Sequence, residues 1–358
     1  MRETPQPFTL KNIGFSRALL MGLATLWVTY SHCWDLDFSQ SHLLNSLNLV
    51  DFSFQFRDFG NAGVDIFLFL SGFGLFHSLS RNSQIRSFYI RRFRRVLPPV
   101  LIVSVIYYGL TGSGKPLEYL FQIFHLSIYH PVFTRGLVWF FSMLVPLYLL
   151  YPLFHRIIDR YRLPGAAGLI LLTVLLSFGL RAVNRSYFEK IEIVLMRIPV
   201  FIAGIAAAKG SSRNKPIPTA GMITVCIVTV LYFLAIPRIP IPEEIPALAR
   251  YCYFPLTLGI CFSVSFIDRM IPDNPLRRFI VLTGTYSLEI YMIFEILYKA
   301  LRESFLPETG IGIPFALACF AGTLILAFAL RKCSDIIVQA LQAPGKTRGK
   351  EDPLEKTE

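Results

Sequence analysis

Ile217-Pro-Thr-Ala-Gly-Met-Ile-Thr-Val-Cys-Ile-Val-Thr-Val-Leu-Tyr-Phe-Leu-Ala-Ile236 contains no Asp, Glu, Lys, Arg or His from end to end. At 1.5 Å of rise per residue, a helix of this length covers the ~30 Å hydrocarbon core of a bilayer, so the stretch reads as a membrane span. The windows 191–208 and 311–330 read the same way. Of the 358 residues, 54% are hydrophobic and 16% charged, and the mean hydropathy is +0.53. An average soluble domain carries roughly 25% charge. That much apolar surface exceeds what one soluble core can hide, and it implies a multi-span membrane protein.

Extending the pattern outward gives spans at 14–34, 62–79, 96–112, 137–154, 164–182, 191–208, 217–236, 250–267, 279–300 and 313–331. The fold class expected is therefore all-α, a polytopic transmembrane bundle of about ten spans. The first apolar run, Ala18 to Tyr30, follows Lys11 and Arg17 and lacks a small-residue cleavage site, so it reads as a retained helix. With both termini on the cytoplasmic side, most of the 35 Lys and Arg fall there, including Arg81, Arg86 and the cluster Arg91 to Arg95. That is the positive-inside pattern, and it explains the net charge of +12 without a nucleic-acid partner. The opposite loops hold Asp35, Asp37, Asp51 and Asp58 and the Pro-rich segment Pro237 to Pro246. The apolar run Leu117 to Tyr129 carries Glu118, Gln122 and His125, is too short to span, and reads as interfacial or re-entrant. Residues 1–335 are expected to form one transmembrane domain, and 343–358 a polar, disordered cytoplasmic tail. The six cysteines are scattered with no CxxC, which argues against a metal or disulfide framework.

Polar residues inside spans are expensive, so they mark candidate chemistry. His32 lies about 22 Å along the first helix from Arg17, and Asp65 enters the second span at a similar depth. An imidazole oriented by a carboxylate is what a general base for a hydroxyl needs; a helix-end His satisfied at the interface is the alternative. Ser71-Gly72-Phe73-Gly74 allows close approach either of a ligand or of another helix. Arg91, Arg92, Arg94 and Arg95 are suited to phosphate binding, or equally to anchoring topology. Trp139, Tyr148, Arg197, Ser287, Glu289, Tyr291 and Glu295 mark further spans. Arg197 is expected to face a cavity or a carboxylate. Glu192 is poorly placed on its own helix, leaving Glu289 or Glu295 as alternatives.

These residues, in order, resemble the integral-membrane acyltransferase 3 family. The likeness is carried by a first helix ending in His32, by Gly63-Val-Asp65-Ile-Phe-Leu-Phe-Leu-Ser71-Gly72-Phe73, and by Phe88-Tyr-Ile-Arg91-Arg92-Phe-Arg94-Arg95-Val-Leu-Pro98. It continues through Val138-Trp139-Phe140, Tyr148 and Pro152, then Arg197-Ile-Pro-Val-Phe201-Ile-Ala-Gly204, then Ser287-Leu-Glu-Ile-Tyr291-Met-Ile-Phe294. The resemblance implies a cytoplasmic acyl-CoA donor, a catalytic His32 with Asp65 in support, and a donor site at Arg91, Arg92, Arg94, Arg95, Ser71 and Gly72. Arg17, Trp139, Tyr148, Arg197, Ser287, Tyr291 and Glu295 would be supporting polar residues. The acceptor would be a hydroxyl of a cell-surface or lipid-linked carbohydrate and the location a bacterial inner membrane, with acyl-CoA as co-substrate and no tightly bound cofactor or metal. A lipid-linked-sugar transporter or a non-catalytic family member is the alternative. Three positions depart from the family: Met21 where Arg or Lys is usual, Leu144 where Glu is common, and Phe294 where many members have His. No fused extracellular esterase-like domain is expected.

Overall fold

In the computed structural model the described residues are 7–33, 36, 46, 50–81, 83–111, 116–130, 139–240, 246–305 and 313–342. Asp35, Asp37, Val138, residues 241–245 of the Pro-rich loop and the tail 343–358 lie outside them. The described residues are almost entirely helical, with one isolated bridge between Phe8 and Ile217. In chain order the helices are α1 (Lys11–Phe15), α2 (Arg17–Ser31), α3 (Val50–Asp58), α4 (Asn61–Arg81), α5 (Ile85–Thr111), α6 (Pro116–Ile123), α7 (Trp139–Val183), α8 (Arg185–Leu195), α9 (Ile198–Ser211), α10 (Thr219–Ala235), α11 (Ala249–Asp268), α12 (Pro275–Thr285), α13 (Ser287–Phe305) and α14 (Ile313–Gln342).

Among the described residues seven helices are long and apolar enough to cross a membrane, or eight if the bent pair α12–α13 counts as one span. The sequence pattern leads to about ten, and the difference has local causes. α2 is 15 residues long, short of the ~20 a span needs. The expected fourth and fifth spans run together in the 45-residue α7, which is interrupted at Arg162, where φ is 55°. In a straight helix Gly165 would sit about 12 Å beyond Ile157. A Cβ built on Gly165 lies 3.0 Å from the Ile157 carbonyl oxygen, so the chain doubles back at this point. The expected ninth span is bent by 82° between α12 and α13. The expected sixth is broken between α8 and α9 at Met196-Arg197. There Pro199, at the start of α9, has no N–H for the carbonyl of Leu195, which kinks the segment, although Arg185–Ser211 still counts as one of the seven crossings. The 117–129 run forms the eight-residue α6 and a short turn, too short to cross.

The bundle is layered by burial. In α4, 78% of the most apolar window is buried; in α10 the figure is 11%. Ile223, Ile227 and Leu231 on α10 and Leu171 and Leu175 on α7 are exposed, as expected of helices solvated by lipid rather than water. α4 packs on α2, α9 and α11. A Cβ at Gly72 would lie 2.3 Å from the Phe201 carbonyl oxygen, and one at Gly204 2.0 Å from that of Phe69, so α4 and α9 touch backbone to backbone. α2 and α12 meet as closely, at Gly284 against the Ala18 carbonyl.

Candidate active site

α2 presents one stripe at helical spacing: Arg17, Met21, Thr25, Thr29 and His32. Its start is fixed by the Ser16 hydroxyl, which donates to Asp268 Oδ2 at 2.7 Å, while Asp268 pairs with Arg277 at 2.9 Å. At its end the His32 N–H donates to the carbonyls of Val28 and Thr29, 3.2 Å each, so the imidazole continues the stripe. The first part of the stripe, Arg17 and Met21, faces a cavity of about 620 Å³ between α2, α4, α5, α7 and the α12–α13 elbow. Arg17, Arg92 and Arg95 line it toward the basic end of the bundle, followed by Ser71 and Tyr148, then Phe67, Phe140 and Tyr291. Phe67 and Tyr291 also wall a small hollow that holds His32 and Glu295. The hollow is small, about 10 Å³, and adjoins the cavity through the shared side chains of Phe67 and Tyr291.

The basic end has an excess of donors. Arg95 pairs with the fully buried Glu289 at 3.0 Å, and Arg331 takes the same carboxylate oxygen at 2.9 Å. The Nε atoms of Arg17 and Arg92 are buried without a hydrogen-bond partner. Buried donors of this kind are normally satisfied, so these fit an anion. Arg92 and Arg95 reach the cavity because they share a helix face at i, i+3; Arg91 and Arg94 fall on the neighbouring face and are exposed. Gly72 is engaged in the packing against α9, whereas its neighbour Ser71 lines the cavity.

His32 and Asp65 form no hydrogen bond with each other. Asp65 pairs with Arg197 at 3.2 Å, each side chain 1% exposed. The Arg197 guanidinium also donates to Asn61 Oδ1 at 3.1 Å and stacks over the Trp139 ring at 4.8 Å. Beside this group Arg250 grips Glu192 with two nitrogens. Arg197 does face a carboxylate, as expected, but that carboxylate is Asp65 rather than Glu289 or Glu295. The acidic residue grouped with His32 is Glu295. Ser287 lies at the elbow, on the cavity wall. Sequence reasoning passed over Arg331 as a partner of the site; its only signal was a cation at the end of an apolar run.

The profile of the acyltransferase 3 family, described as an acyltransferase domain, matches residues 19–332. The chain belongs to this family. A relative of this acyltransferase is the protein named "Putative acetyltransferase ORF330" of Acidianus two-tailed virus, 25% identical over 325 residues, covering 86% of this chain and 89% of the relative. No solved structure gives a significant match. The three positions where the chain departs from its family lie on these two neighbouring spaces. Met21 and Leu144 line the cavity and Phe294 lines the hollow beside His32, so apolar groups stand at positions where the family commonly carries charge.

Proposed function

We propose that this acyltransferase moves an acyl group, acetyl in the simplest case, from acyl-CoA to a hydroxyl of a cell-surface or lipid-linked carbohydrate. The observation that carries the reading is a cavity lined by Arg17, Arg92 and Arg95 and, farther in, by Ser71 and Tyr148, whose walls Phe67 and Tyr291 also border the hollow that holds His32. Guanidiniums with unsatisfied N–H groups suit the CoA phosphates, and the narrow interior suits the extended pantetheine arm. The thioester carbonyl then lies near His32. An imidazole nitrogen takes the proton of the acceptor hydroxyl as its oxygen attacks the carbonyl carbon. The C–S bond breaks, and the proton returns to the CoA thiolate. Glu295 lines the same hollow as His32, whereas Asp65, the carboxylate the sequence pattern pointed to, is taken up by Arg197. The basic end faces the cytoplasm, by the distribution of Lys and Arg, in a bacterial inner membrane crossed about ten times.

Purified protein incubated with radiolabelled acetyl-CoA and envelope glycans tests this. The wild-type chain is expected to label glycan. His32→Gln, which keeps size and hydrogen bonding but removes the base, should lose at least ~100-fold in rate with CoA affinity unchanged. Near wild-type transfer by that variant overturns the assignment.

A further inference from the structure

A second cavity shares no lining residue with the first. It has a volume of about 640 Å³ and opens between the reversal of α7, the outer face of α9, and α11. Its body is apolar, built from Phe69, Ile170, Leu258 and a face of α9 bearing only Ala203, Ala206 and Ala207. The small side chains leave the space open, and the size falls within the roughly 300–1,000 Å³ typical of ligand sites. At the end formed by the reversal of α7 and the end of α9 the lining takes in Arg162, Lys209 and Arg213 among the apolar groups. Lys209 is paired with Asp159, so the rim keeps the charge of Arg162 and Arg213. Arg162 has a left-handed backbone, φ 55°, uncommon for any residue but Gly; a bulky cation held there at the reversal places its side chain on the rim.

An apolar slot ending in a cationic rim, at the basic end of a membrane bundle, has the chemistry of one molecule: an anionic phospholipid, with a chain in the slot and its phosphate on the guanidiniums. We infer that this cleft binds such a lipid from the leaflet at the basic end. The larger groove of about 800 Å³ along α5, α13 and α14 lacks this selectivity, because the charges lining it are Lys299 and Glu303, one of each sign. Lipid held between α7 and α9 would brace α9, whose adjacent face carries Gly204 against Phe69 of α4.

The test is lipid titration of the delipidated full-length protein, read by native mass spectrometry. Dioleoylphosphatidylglycerol and dioleoylphosphatidylcholine have identical chains and differ in head-group charge. The first is expected to bind about tenfold more tightly. R162Q/R213Q should abolish most of that preference, and A207F, which fills the slot, should displace the anionic lipid while leaving the rim intact. Free glycerol phosphate, carrying the head group without chains, should not compete. Equal affinity for the two lipids, an unchanged preference in R162Q/R213Q, undiminished binding by A207F, or competition by glycerol phosphate would each overturn the inference.

Discussion

Two groups of charge lie inside the bundle, and they differ in balance. Toward the end away from the arginine-rich loops, Arg197 is matched by Asp65 and Arg250 by Glu192, with Asn61 and the Trp139 ring completing the surroundings of Arg197. Toward the basic end, Arg17, Arg92 and Arg95 face a cavity, and the carboxylate closest to them, Glu289, is shared between Arg95 and Arg331. The first group is neutral and closed, so the fold alone accounts for it. The second has a surplus of cation and space beside it, so it calls for an anion from outside. Buried charge by itself does not mark a ligand site; uncompensated charge facing a cavity does.

The contrast is broken most directly at Arg197. Arg197→Met strands Asp65 without a counter-charge in the interior and should cost about 3–5 kcal/mol of stability, read as a lowered melting temperature in detergent. Pairing it with Asp65→Leu should restore most of the loss, since a neutral apolar pair replaces a neutral ionic one. A fully stable single variant would mean that the closed group is not holding the bundle together.

Arg92→Gln probes the open group and should behave oppositely. Removing one charge-assisted phosphate contact should weaken CoA binding by about 1.5–3 kcal/mol, measurable by calorimetry, with an unchanged melting temperature. If stability falls and CoA affinity does not, the cationic surplus serves the fold.

Gly72→Ala sharpens the border between the two kinds of role, since Gly72 adjoins Ser71 on the cavity wall but packs on α9. Its Cβ would meet the Phe201 carbonyl oxygen at 2.3 Å. Overpacking there should cost about 1–3 kcal/mol in stability while the donor KM stays constant. A raised donor KM in stable protein would return Gly72 to the donor site.

The smallest effect is expected from Arg91→Gln with Arg94→Gln. Both side chains are exposed, on a helix face turned from the cavity. Stability should stay within about 0.5 kcal/mol, and CoA affinity should be nearly unchanged. A loss as large as that of Arg92→Gln would extend the phosphate site beyond the cavity.

Some of the site was legible before the fold was known. Arg17 and His32 on one helix, at spacings that share a stripe, needed only the helical period, and the basic run leading into the third span was visible as a group of four candidate arginines. The partner of Asp65 was not legible, because Arg197 and its second acceptor Asn61 lie 136 residues apart and nothing local fixes which faces of α4 and α9 meet. The selection of Arg92 and Arg95 over Arg91 and Arg94 depended on the rotation of α5 about its own axis, which packing sets.

The apolar lengths, the clustering of cations between them and the ordered motifs determined an all-α membrane acyltransferase, because hydrocarbon thickness and backbone hydrogen bonding leave a long apolar segment little choice but helix. Tertiary structure alone decided where that regularity fails: the reversal at Arg162, the break before Pro199 and the elbow between Thr285 and Ser287. It also decided which charges are cancelled and which are left facing a cavity. The reason is geometric: Coulomb and hydrogen-bond energies depend on separations of a few ångströms between helices, and those separations are set by side-chain packing across the whole bundle, not by any one stretch of chain.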